Sequence, residues 1–154
     1  MKVMKSIIFI TTAAILGFST LTPLSAYAGH DVIYTSWRNN AAIGGYDAVS
    51  FYSGNPQRGE REFSTFYKSA KWYFQTEANR DLFLANPSAF EPQFGGYCAW
   101  AVAKGKLAKG SPKHWYVEDG KLYLNFSERI RDRWLADKND FISKANSRWP
   151  EILK

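Results

Sequence analysis

The alternation of apolar and polar positions changes period several times along this chain, and each change predicts an element. Residues 46–52 read as a short strand, stopped by the turn chemistry of Ser53, Gly54, Asn55 and Pro56. A charged loop covers 57–61. The aromatic, strand-favouring runs 63–67 and 72–75 flank Lys68, Ser69, Ala70 and Lys71, which predicts a hairpin with Tyr67 opposite Trp72 and two exposed lysines at its tip. Thr76 is a helix N-cap with Glu77 in the favourable first turn. The helix runs until Asn86 and Pro87, where proline opposes continuation, and Ala78, Leu82 and Phe83 form its buried face.

Residues 94–103 fit two patterns, because Gly95 and Gly96 oppose regular structure while 97–103 suit a helical turn or a strand. The next signal is sharper. Asp119 and Gly120 suit both positive-φ positions of a type I′ turn, so 115–126 form a hairpin pairing Val117 with Leu122 and Trp115 with Leu124. Those four face the core, and His114, Tyr116, Tyr123 and Asn125 alternate onto the other face. Ser127 then caps a helix with an apolar stripe of Ile130, Trp134, Phe141, Ile142, Ala145 and Trp149, interrupted near Asn139 and Asp140 and ended by Pro150. Residues 29–44 are polar and aperiodic, an extended lead-in with order beginning near Ile43 and a domain over 45–154. Hairpins mixed with helices predict an α+β fold, a small antiparallel sheet of hairpins packed with helices.

The first 28 residues change the compartment. Lys2 and Lys5 precede an apolar run over 7–18, and Ala26, Tyr27 and Ala28 supply small residues at −3 and −1, the pattern of a signal peptide cleaved between Ala28 and Gly29. The run is too short to cross a bilayer comfortably, and nothing after Ala28 resembles a membrane span. The expected product is periplasmic or secreted. The two leader lysines belong to a formal charge of +6, leaving +4 on 29–154, which is too modest to argue for nucleic acid. The single cysteine, Cys98, excludes an intramolecular disulfide.

Three stretches carry a family resemblance: Gly45 with Tyr46, Asp47, Ala48, Val49 and Ser50; Phe94 with Gly95, Gly96, Tyr97, Cys98, Ala99 and Trp100; and Asp119 with Gly120, Lys121, Leu122, Tyr123, Leu124 and Asn125. Together they resemble exported members of the YHS-domain family, over most of 45–154. The resemblance implies an α+β domain often linked to metal binding. It also implies thiols at three positions where this chain has Ser50, Gln75 and Asn79. Soft ions draw much of their affinity from thiolates, which amides and hydroxyls replace poorly, so a structural thiolate metal site is not expected.

The candidate site is therefore built around Cys98. A free cysteine is commonly core packing, yet the adjacent glycines permit close approach of a ligand, and an unpaired thiol in an oxidising compartment needs shelter. Asp47 and Tyr97 are the expected companions of Cys98 in binding a small ligand or a metal ion, with Cys98 as the metal-ligand candidate and the identity of any cofactor unknown. Asp47 has a second reading, as the residue that stabilises a turn. His30 and His114 lack metal-ligand spacing and are expected to face solvent. A Cys98 and His114 nucleophile pair requires that the two meet in space. The loop 104–113, with Lys104, Lys106, Lys109 and Lys113, offers an anionic surface or a protein partner a flexible docking site, as does the outward pair Tyr116 and Tyr123. No hydrolase elbow, phosphate loop or zinc-protease motif is present, which leaves a non-enzymatic binding protein as the expectation.

Overall fold

In a computed structural model describing residues 29–154, the chain is α+β, with two antiparallel two-stranded sheets and five α-helices. The expected signal peptide, including its cleavage residue Ala28, lies outside the described residues. Strands β1 (Glu60–Tyr67) and β2 (Ala70–Phe74) form one hairpin. Helices α1 (Glu77–Ala85), α2 (Pro87–Phe90) and α3 (Ala99–Ala103) follow. Strands β3 (Ser111–Glu118) and β4 (Lys121–Asn125) form the second hairpin, and α4 (Glu128–Leu135) and α5 (Lys138–Arg148) close the chain. No helix among the described residues is long and apolar enough to cross a membrane.

Local chemistry sets several of these boundaries. Thr76 and Ser127 accept the backbone N–H three residues on, from Asn79 and Ile130, so α1 and α4 begin where their caps stand. Asp119 and Gly120 both have positive φ, at 49° and 67°, and the β3–β4 register pairs Val117 with Leu122 and Trp115 with Leu124. The first hairpin turns more tightly than expected. Lys68 and Ser69 carry the two positive-φ positions, so Tyr67 faces Ala70 and Thr65 faces Trp72, while the Tyr67 and Trp72 rings meet diagonally at 6.2 Å.

The β3–β4 hairpin is a wall between two cores. Leu122 and Leu124, with Trp115 and Val117, face a cluster of Phe51, Trp72, Phe74 and Phe83 from the first half of the chain. Tyr123 and Tyr116 face a second cluster built on Trp134, Phe94, Val102 and Ala145. Tyr123 and Trp134 rings lie 5.1 Å apart. Of the expected outward pair, Tyr123 is buried and Tyr116 is half-buried against Trp134, because α4 and α5 cover the hairpin's second face.

Four other elements differ from expectation. Residues 46–52 form no strand, since Asp47 accepts two backbone N–H groups just ahead and curls the chain into a 3₁₀ turn over Ser50–Ser53. The lead-in is ordered well before Ile43: Ile33 is buried, Tyr34 N–H donates to the Gly95 carbonyl at 2.8 Å, and Ala41 bridges Lys71 on β2. Helix α1 buries Phe83, whereas Ala78 and Leu82 are exposed. The break between α4 and α5 falls at Ala136 and Asp137, ahead of Asn139.

Candidate functional site

The segment Phe94, Gly95 and Gly96 has three successive left-handed residues, with φ of 54°, 60° and 84°. This sharp reversal delivers Tyr97 and Cys98 to the end of the β3–β4 wall, where Cys98 bridges Leu124. Glycine is required here by space as well as by φ. A Cβ on Gly95 would overlap the Val32 carbonyl oxygen, so the lead-in lies directly against the turn.

Cys98 precedes α3 and is almost completely buried, at 1% exposure. Its N–H donates to the Ala108 carbonyl at 2.9 Å, and its carbonyl accepts from Val102 N–H at 3.0 Å. The thiol points its proton toward Asn125 Oδ1 at 3.7 Å, and that same oxygen caps α3 by accepting Trp100 N–H at 3.3 Å. Asn125 is itself fully buried, and its Nδ2 has no hydrogen-bond partner among the described residues. An unpaired buried donor costs about 1–3 kcal/mol.

Burial pushes the Cys98 thiol up, and the nearby backbone N–H groups of Ala101, Phe126 and Trp100 oppose that shift only in part. The neutral thiol is therefore a poor nucleophile and a poor ion ligand. Native protein is expected to react with a thiol reagent at least about a hundredfold more slowly than unfolded protein. Comparable rates would mean that Cys98 is open to solvent. The raised pKa also fixes a sign: the stability tied to the neutral thiol is complete below about pH 8.5 and is lost as pH rises through the folded value. Tyr52, pushed up to about 12 by burial, adds a similar loss beginning near pH 10. Cys98→Ala should flatten the fall in stability that sets in above about pH 8.5, and an unchanged profile would contradict this account.

Cys98 also lines a small cleft with Trp100 and Ala101 of α3, Ala108 of the following loop, Phe126 and Ile130 of α4. Its volume is about 150 Å³ and its walls expose no polar atom. Phe126, half exposed, stands at its mouth. The loop forming one side is tied down rather than free: Ala108 accepts from Cys98, Lys109 bridges Tyr97, and Gly110 packs against the Gly96 carbonyl. Of three larger hollows, two include Gly29 and His30, at the edge of the described residues, and the third lies between the β3–β4 turn and α5, lined by Asp119, Tyr123 and Ile142.

The expected companions of Cys98 belong elsewhere. Tyr97 turns to the second core, its hydroxyl donating to the Asp31 carbonyl at 2.9 Å and its ring packing against Tyr34 and Trp149. Asp47 is fully buried in a separate network. Oδ1 accepts Val49 N–H at 2.9 Å and Ser50 N–H at 3.4 Å, while Oδ2 accepts Gln75 N–H at 2.9 Å and Asn79 Nδ2–H at 2.6 Å. It is the turn-forming reading of Asp47 that the geometry matches. Ser50 completes this knot, donating to the Asp47 carbonyl and accepting from Gln57 N–H. His30 is exposed, and His114, half-buried on β3, makes no hydrogen bond to Cys98. Comparison with family models, with curated proteins and with solved structures finds no match for the chain.

The residues missed from the sequence are Asn125, Ala108, Phe126 and Ile130. One signal for Asn125 was present. The unbroken apolar run Leu122, Tyr123 and Leu124 marks a strand covered on both faces, which places the next residue inside as well.

Proposed function

We propose that the chain is an exported, non-enzymatic binding protein of the YHS type that takes a small apolar ligand into the cleft beside Cys98. The observation carrying the ligand reading is the cleft itself, an opening with wholly apolar walls that ends on a neutral, buried thiol. The cleft is open to solvent rather than closed over, and its volume matches one ring or a short branched chain.

The YHS reading is supported by a convergence. Ser50, close to Asp47 in the chain, and Gln75 and Asn79, four residues apart in a distant segment, are the positions where the resemblance implies thiols, and all three meet Asp47. Their chemistry does not suit a soft ion. The hydroxyl and amide are neutral, Gln75 contributes its backbone, and the Asp47 oxygens are already occupied by four donors. Among the described residues no group of three or more His, Cys, Asp or Glu side chains could hold a metal ion, so Cys98 lacks partners for that role.

The test is binding of benzyl alcohol, a neutral single-ring probe, followed through backbone amide shifts. Saturable shifts concentrated at Cys98, Ala101 and Phe126 are expected, and Ala101→Leu, which fills the cleft, should abolish them. Shifts scattered over the surface, or unchanged in Ala101→Leu, would overturn the reading. Export has its own measurement: intact mass of the periplasmic or secreted product should begin at Gly29, and a mass retaining residues 1–28 would remove the compartment from the proposal.

A further inference from the structure

The cleft's walls are apolar, but two of its aromatic wall residues each carry a lysine. Lys104 Nζ lies 5.7 Å from the centre of the Trp100 ring and 5.1 Å from that of Phe141, and Lys109 Nζ lies 5.4 Å from that of Phe126. Trp100 and Phe126 are both walls of the cleft. The two ammonium groups are thus held against the aromatic side chains that frame it, an arrangement favoured by the ring quadrupole and by burial of the lysine stems. Neither lysine has an acidic partner within ion-pair distance among the described residues.

Of the four acids at 128–140, three are paired and Asp137, just ahead of α5, is in no ion pair among the described residues. On α4, Glu128 and Asp132 are both paired with Arg131, and on α5 Asp140 is paired with Lys144, one residue from Phe141. The floor offers no negative charge, because the Cys98 thiol is neutral. A ligand in the cleft lies against two rings, Trp100 and Phe126, each of which carries a lysine ammonium with no acidic ion-pair partner among the described residues. The loop carrying both lysines is tethered at Ala108, Lys109 and Gly110, which holds it in place.

Resting on the ligand reading given under Proposed function, we infer that the ligand is an aromatic carboxylate, with its ring in the cleft and its carboxylate between Lys104 and Lys109. The apolar body supplies burial and the charge supplies orientation. Solvent-exposed ion pairs are weak singly, so the two lysines together should favour the anion by roughly fivefold at low ionic strength, and salt should erode the difference.

Three probes of similar size separate the outcomes: benzoate, benzyl alcohol and benzylammonium, each titrated calorimetrically and by amide shifts against the exported protein. Benzoate should bind about fivefold more tightly than benzyl alcohol, and benzylammonium most weakly. In the double variant Lys104→Gln with Lys109→Gln, both sites being exposed, benzoate should lose its advantage while benzyl alcohol affinity stays unchanged. If benzyl alcohol occupies the cleft as tightly as benzoate, or benzylammonium binds best, the anionic ligand is excluded while the cleft reading stands. If no probe shifts Cys98, Ala101 or Phe126, the cleft reading fails and takes this inference with it.

Discussion

Replacing Asp47 by alanine is expected to lower the free energy of unfolding by about 4 kcal/mol, measured by urea denaturation, among the largest losses any single side-chain truncation should produce here. The reason is the number of donors that depend on one buried carboxylate. Val49, Ser50 and Gln75 each give it a backbone N–H, and Asn79 gives it an amide hydrogen. These donors come from the turn after Tyr46, from the link between β2 and α1, and from the first turn of α1. Truncation leaves the Val49 and Gln75 N–H groups and the Asn79 amide without their acceptor, while Ser50 N–H keeps the Asp47 backbone carbonyl at 3.2 Å, and part-buried donors recover only some of that loss from water. Asp47→Asn is milder, at about 2–3 kcal/mol, because one amide oxygen still accepts while the new NH₂ faces existing donors. Ser50→Ala removes the hydroxyl that joins the Asp47 carbonyl to Gln57 N–H, at about 1–2 kcal/mol. Losses that fall in the order Asp47→Ala, Asp47→Asn, Ser50→Ala are the signature of a structural carboxylate. A loss below about 1 kcal/mol for Asp47→Ala would show instead that the knot is not what holds these segments together.

The knot also illustrates which parts of this molecule were legible from residues in order. Local rules succeeded where a few neighbouring residues decide the outcome. Asp119 and Gly120 specified their turn and with it the β3–β4 register, and Thr76 and Ser127 marked helix starts, because the decisive hydrogen bonds close within three residues. Residues 46–52 failed by the same logic, since the strand pattern in their side chains competes with an Asp47 carboxylate that captures the backbone just ahead. The lead-in failed for a different reason: Ile33 and Tyr34 are ordered by Gly95, more than half the domain away in sequence. Tertiary contact of that kind leaves no local trace.

The candidate site divides along the same line. That Cys98 is sheltered followed from the chemistry of a lone thiol. That Asn125 stands beside it did not, because alternation along a hairpin predicts an outward residue unless helices cover both faces. Here α4 and α5 cover the second face, turning Tyr116, Tyr123 and Asn125 inward together. Asp47 and Tyr97 are not companions of Cys98, because one is occupied by the turn and the other by Asp31 and Trp149.

Gly110→Ala should destabilise the protein by about 3 kcal/mol and raise the native labelling rate of Cys98 at least tenfold, because it drives the cationic loop off the cleft. A Cβ at this position would overlap the Gly96 carbonyl oxygen and lie 2.7 Å from Leu124 Cβ. Neither neighbour can yield easily. The Gly96 carbonyl belongs to the left-handed turn, and Leu124 is fixed in the β3–β4 wall and bridged to Cys98. The loop must move instead, and with it the Ala108 carbonyl that accepts Cys98 N–H and the Lys109 bridge to Tyr97. Gly54→Ala provides the contrast. Its φ of 77° is left-handed, but a Cβ there meets nothing within 4 Å, so only the backbone penalty of about 1–2 kcal/mol remains. It should leave Cys98 as protected as in the parent, apart from what the small loss of stability allows. Gly110→Ala that costs no more than Gly54→Ala and leaves Cys98 unreactive would mean that the loop can relax without uncovering the thiol, and that the cleft's outer wall is not held by this contact.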